Sequence, residues 1–165
     1  MPRQELKESV ELLGETPAAI LRLVEGLPPS ALRRKPSADE FSFVEHACHL
    51  RDIETEGYNV RLRKFLSEAR PTFEDIDGAR LARERLYNEQ DFQSALDAFA
   101  RARRESLALL ENLPEEAHAR TASFEGAGEV SVSRLVSMMC EHDLAHREEM
   151  AALRESLLGR TAGAR

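Results

Sequence analysis

His142 and His146 stand four positions apart in residues 131–150, a stretch that reads as one long helix. Residues at i and i+4 share one face of an α-helix, about one turn apart. Two imidazoles set that way can converge on a single cation, and neutral imidazole suits Zn, Ni, Fe or Cu. A tight site needs three or four ligands, so the pair requires a partner from elsewhere in the chain. His49 is one such partner, far away in sequence and on a different predicted helix. Metal sites in helical bundles are built from inward side chains on facing helices. Three histidines and a water leave an exchangeable position, which marks a catalytic metal more than a structural one. Spacing alone leaves another reading open, in which these are hydrogen-bonded core or surface histidines.

Other constellations fit less well. The run His142-Asp143-Leu144-Ala145-His146 looks like the His-Glu-x-x-His pattern of zinc proteases with Asp for Glu. Asp is one methylene shorter, and no strand is evident to dock a peptide. A ferritin-like di-iron site needs two Glu-x-x-His elements. Only Glu115-Glu116-Ala117-His118 matches, in a linker after Pro114. Cys48 and Cys140 are rotated off the lines of their neighbouring histidines and read as buried apolar side chains.

The elements that must position these residues are helical. The 165 residues suit one domain, spanning 1–165, and can bury a real core. Hydrophobic residues at 42% and charged residues at 32% describe a soluble globular chain. Ala, Leu, Glu and Arg favour helix throughout, and eight Gly and seven Pro are too few for an all-β chain with many turns. The net charge of -7 argues against a nucleic-acid partner, because phosphate neutralisation supplies most non-specific affinity. Basic clusters at Arg33-Arg34-Lys35 and Arg101 to Arg104 sit beside acids and read as solvated helix faces. No run approaches membrane-spanning length, and no apolar signal segment opens the sequence. Two cysteines on different helices make no disulfide framework. A reducing, cytoplasmic setting is expected.

Apolar spacing from Leu6 to Leu27 predicts a first helix, kinked or in two pieces at Gly14 and Pro17. Residues 28 to 40 read as a connector. Ser42-Phe43-Val44-Glu45 fits a capping box, which predicts a second helix running to about Ala69, before Pro71. On it Glu45, His49, Asp52, Ile53 and Glu56 share a face, whereas His46 is rotated about 60° from the His49 line. Residues 70 to 90 form a long crossover, with a short helix over Ala79 to Tyr87. A third helix is capped by Asp91 and ends near Leu113. Its core stripe includes Arg103, which must either snorkel to the edge or find a carboxylate inside the bundle. Residues 114 to 130 read as a linker. The fourth helix runs from Ser131 to about Leu158, and the tail from Gly159 should fray. The sum is an all-α four-helix bundle with a long crossover between helices 2 and 3.

The stretch from Phe41 to Glu54 resembles the helix 2 motif of the DinB/YfiT-like superfamily, Trp-Ser-x-x-Glu-x-x-x-His-Leu followed by an acid-rich turn. Glu141-His142-Asp143-Leu144-Ala145-His146 looks like that family's His-Asp-x-x-His helix, and Phe99, Arg103, Leu107 and Leu110 look like its third-helix pattern. The resemblance covers nearly the whole chain in order. It implies His49, His142 and His146 as ligands of a divalent metal, with Zn or Ni foremost and Mn or Fe as alternatives. His46 has no counterpart role in it. Phe41 replaces the usual Trp, a change of packing that leaves the ligands untouched. The resemblance further implies a homodimer and a small-molecule substrate. Some relatives are transferases or isomerases that use a low-molecular-weight thiol. A metal lowers the pKa of a bound water or thiol, so thiolate attack on an electrophile is the expected chemistry. Glu45 or Asp52 could orient a ligand imidazole or accept a proton. The competing class is a non-catalytic, metal-stabilised binding or stress-response module.

Overall fold

A computed structural model of the chain describes residues 3–162. Helix α1 (Arg3–Val24) is one uninterrupted run with Pro17 inside it, so of the two expected forms it is not the two-piece one. Proline has no amide to bond the carbonyl four residues earlier, which is that of Leu13. The bundle makes good the loss: Nη1 of Arg103 donates to the Leu13 oxygen at 3.0 Å.

The second helix begins at its capping box. Ser42 Oγ accepts from the Glu45 amide at 3.2 Å, and the Glu45 carboxylate accepts from the Ser42 amide at 2.8 Å. From there α2 (Phe43–Asp52) passes through a π-helical turn at Ile53–Tyr58 into α3 (Asn59–Ser67). A π turn inserts an extra residue into the helical repeat. Past it the inward face is re-registered: Glu54 is buried and Glu56 is exposed, so Glu56 leaves the face expected of it.

Between α3 and the next long helix lie β1 (Thr72–Phe73), α4 (Gly78–Glu84) and a 3₁₀ turn at Tyr87–Glu89. Helix α5 (Phe92–Glu111) starts where expected, with Asp91 accepting from the Ser94 amide at 2.8 Å. The region read as a linker is ordered differently. It holds α6 (Glu115–His118) and a hairpin of β2 (Thr121–Phe124) and β3 (Gly128–Ser131).

The fold is therefore mostly helical but not all-α. Among the described residues three strands form one sheet in the order β1-β2-β3, parallel then antiparallel. Ala122 and Phe124 face inward while Thr121 and Ser123 face out, the period-2 pattern of a half-buried strand. Gly126 and Gly128, with φ of 75° and 77°, take the left-handed conformations that turn the hairpin. Phe73 stacks edge-to-face between Phe65 and Phe124, which ties the sheet to the helices.

Helix α7 (Val132–Ala162) outruns its expected end at Leu158, and residues 163–165 of the tail lie outside the described residues. In the bundle α1 packs on α5 and α7, and α2 packs on both α5 and α7. That places α2 and α7 side by side, each with its histidines. Among the described residues no helix is long and apolar enough to cross a membrane.

Candidate metal centre

His49 on α2 meets His142 and His146 on α7. The Nε2 atoms of His49 and His142 are 3.1 Å apart, and those of His142 and His146 are 3.2 Å apart. One ring nitrogen from each of the three lies within 4.8 Å of the others. For bonds of about 2.0–2.1 Å, a tetrahedral shell sets its nitrogens roughly 3.3 Å from one another. The observed separations fall close to that edge length.

The electrostatics favour the ligand form of each ring. Burial, reinforced by the neighbouring histidines, pushes His49 and His142 down to about 3. Burial also lowers His146, against the opposing pull of Glu149 and Asp143. At neutral pH the three are uncharged imidazoles, the species that coordinates metals. Each neutral ring has a single N–H, so three converging Nε2 atoms cannot all be satisfied by one another. His49 Nδ1 is buried with no hydrogen-bond partner. An uncharged three-nitrogen donor set fits a borderline divalent cation.

A fourth histidine, to which sequence reasoning gave no role, belongs to the cluster. His46 Nδ1 lies 3.0 Å from His146 Nδ1, and the Glu149 carboxylate is 3.2 Å from that same His146 nitrogen. His146 thus faces His142 through Nε2 and His46 through Nδ1. Phe41 packs against both helix α2 histidines, with ring centroids 5.5 Å from His46 and 5.4 Å from His49. A cavity of about 530 Å³ opens beside this group. His46, His146 and Glu149 stand in its wall next to Phe41 and Leu153.

The other candidate residues have structural partners. Glu45 closes the capping box and accepts from Lys35 at 3.1 Å. Asp52 accepts from Arg51, Arg85 and Tyr87 at 2.6, 2.6 and 2.7 Å. Neither carboxylate bonds His49 Nδ1, so the orienting role expected of one of them is not what they do. Arg103 is 1% exposed and does not snorkel. It pairs with Asp143 at 2.5 and 3.0 Å and with Glu54 at 2.7 Å, and Ser106 also donates to Glu54. Asp143, held in that pair, is not free to act as the base of a protease-like site. Burial pushes the Cys48 thiol up to about 11 and raises that of Cys140, so neither is an activated nucleophile.

The family model of the DinB superfamily matches residues 12–150. Among solved structures, one of YfiT from Bacillus subtilis superimposes with a TM-score of 0.86. That protein is described as "a probable metal-dependent hydrolase with an unusual four-helix bundle topology". The match covers 95% of this chain and 90% of that one at 17% sequence identity, a likeness of fold. No curated protein shows significant sequence similarity to the chain.

Proposed function

The chain belongs to the DinB superfamily, and on that footing we propose that it is a divalent-metal-dependent enzyme acting on an electrophilic small molecule. His49, His142 and His146 hold the metal, with Zn or Ni preferred and Mn or Fe as alternatives. The observation that carries this reading is the convergence of three uncharged imidazoles, one of which, His146, lines a cavity of about 530 Å³. A structural metal site is closed, whereas a catalytic one keeps room for an exchangeable ligand.

A divalent cation held there supplies Lewis acidity, which favours the anionic form of a thiol or water at neutral pH. The chain's own residues prepare the site for it. Burial keeps the imidazoles uncharged, and the α2–α7 contact fixes their spacing. Phe41 and Leu153 offer an apolar wall for the body of a substrate. With both cysteines held in the thiol form, the nucleophile comes from outside the chain. A low-molecular-weight thiol is the leading choice, which makes the activity that of a thiol-dependent S-transferase or isomerase. The description of YfiT as a probable hydrolase supports water as the second choice.

We read residues 1–165 as one bundle domain, 70–90 as the long crossover between its second and third helices, and the working form as a cytoplasmic homodimer. The test is a thiol-consumption assay on Zn- or Ni-loaded protein, with several thiols and a panel of electrophiles. Turnover that vanishes on chelation and in His146→Ala supports the transferase reading. Hydrolysis without thiol consumption supports the water reading. Activity untouched by chelation contradicts both.

A further inference from the structure

The three-histidine centre uses only one nitrogen of His146. The other, Nδ1, points into a second convergence of donors that the first centre does not employ. His46 Nδ1 is 3.0 Å from it, and Glu149 Oε2 is 3.2 Å from it and 3.8 Å from His46 Nδ1. All three atoms lie within 4.8 Å of one another.

A hydrogen-bond account of this group falls short. With His146 Nε2 committed to the first centre as a lone-pair donor, its single proton sits on Nδ1. That proton faces two acceptors at once, the ring nitrogen of His46 and the carboxylate of Glu149. A neutral His46 ring brings a lone pair on Nδ1 whenever its own proton is on Nε2. Two lone pairs, one from nitrogen and one from oxygen, thus compete for one proton, and loss of that proton frees a third on His146 Nδ1. A divalent cation can take all three.

The distances agree with such a shell. A tetrahedral cation with bonds of about 2.0–2.1 Å sets its donors roughly 3.3–3.4 Å apart. Two of the three edges, 3.0 and 3.2 Å, lie a little inside that length. The longer one ends on Glu149, whose side chain is 60% exposed and free to close it. Open coordination positions would face the cavity, because all three residues line it.

We propose that His46, His146 and Glu149 form a second divalent-cation site, joined to the three-histidine centre through the two nitrogens of the His146 ring. Loading both sites leaves His146 without an N–H, its proton passing to solvent. The cavity wall then presents a cation directly to whatever occupies it. This inference rests on the three-histidine reading for its bridge but not for its other two donors.

The test is a Co(II) titration of metal-free protein, read by visible absorbance and by elemental analysis after desalting. The variants are Glu149→Gln, His46→Gln and His142→Ala, each checked for fold by circular dichroism. Glu149 is exposed, so its replacement carries little risk to folding. Wild type should bind about two equivalents per chain, Glu149→Gln and His46→Gln about one, and His142→Ala about one. Saturation at one equivalent that His142→Ala abolishes and Glu149→Gln leaves intact would overturn the second site alone. One equivalent lost in Glu149→Gln but kept in His142→Ala would support the second site and remove the first. No binding at all overturns both.

Discussion

Gly78, the first residue of α4, lies against the imidazole of His49. A Cβ at position 78 would come within 2.3 Å of His49 Cε1 and 2.6 Å of its Nδ1. Real Cβ atoms do not approach that closely, so only glycine lets the start of α4 close over the ring. This contact explains how His49 is held without a hydrogen bond to Nδ1: it is clamped by backbone on one side and by Phe41 on another.

Gly78→Ala should therefore displace His49 while changing none of the histidines. Metal affinity should fall by about 10–100-fold, the usual cost of disturbing a ligand's support. Gly159→Ala is the control, since its Cβ meets nothing within 4 Å and it sits in the helical run of α7. That variant should bind metal as wild type does. Equal affinities for all three proteins would mean that the Gly78 contact positions nothing.

Arg103 joins four elements, through Leu13 on α1, Glu54 in the π turn, its own α5, and Asp143 beside His142 on α7. Burial alone would lower its pKa; Glu54 and Asp143 outweigh that and hold the guanidinium charged. Arg103→Met strands two buried carboxylates next to each other and should cost about 3–5 kcal/mol in urea unfolding. Arg103→Lys should recover little, because one ammonium cannot reproduce the two-pronged bond to Asp143. A loss below about 1 kcal/mol for Arg103→Met would show that the network contributes little to stability.

The metal-free protein should be acid-sensitive. His46, His49 and His142 are pushed from an ordinary 6.5 to about 3, by burial first and then by neighbouring histidines. Between those values the unfolded chain binds protons that the folded chain excludes. Stability rises with pH wherever the unfolded state holds more protons, so it is fully present above 6.5 and is lost as pH falls toward 3. Thermal melts of apoprotein should show Tm falling steadily from pH 6.5 down to about 4, before most carboxylates titrate. A flat profile over that range would contradict the buried, uncharged state of the cluster.

The cysteines should prove inert. Cys48 is fully buried with its thiol pushed up to about 11, and its Sγ lies 3.5 Å from Gln90 Oε1. In native protein near pH 8 a thiol-specific reagent should label Cys48 only as fast as the chain unfolds, followed by mass spectrometry. Rapid labelling of the folded state would restore Cys48 as a candidate nucleophile.

What the sequence disclosed was mainly what local rules govern. The Ser42–Glu45 capping box and the Asp91 cap depend on residues three apart, and both helices start where those pairs predict. The His142/His146 spacing and the DinB-like motifs pointed to three histidines that the fold brings together. Non-local features were harder to see. The hairpin at residues 121–131 has only four residues per strand, and its alternation is hidden by a glycine-rich turn that reads as a linker. The π turn has no signature, because residues 53–58 suit an ordinary helix. On an α-helical angle His46 lies off the His49 line, and the DinB-like motif has no counterpart role for it. It is reached instead by His146 from across the bundle. Its signal was present in the i,i+3 pairs His46/His49 and His146/Glu149, one on each of two helices that pack together. Arg103 was flagged as needing a carboxylate, but Glu54 and Asp143 are 49 and 40 residues away and could not be chosen by spacing.

The central claim is that His49, His142 and His146 bind a divalent cation, and metal content tests it most directly. Untagged protein and its His49→Ala and His146→Ala variants should be reconstituted with Zn or Ni, desalted and submitted to elemental analysis, with melts of each. Metal held by wild type at about one equivalent per chain or more, with the share at this centre lost from both folded variants, is the expected result. A wild-type protein that holds no divalent metal after reconstitution, or variants that hold as much as wild type, would contradict it.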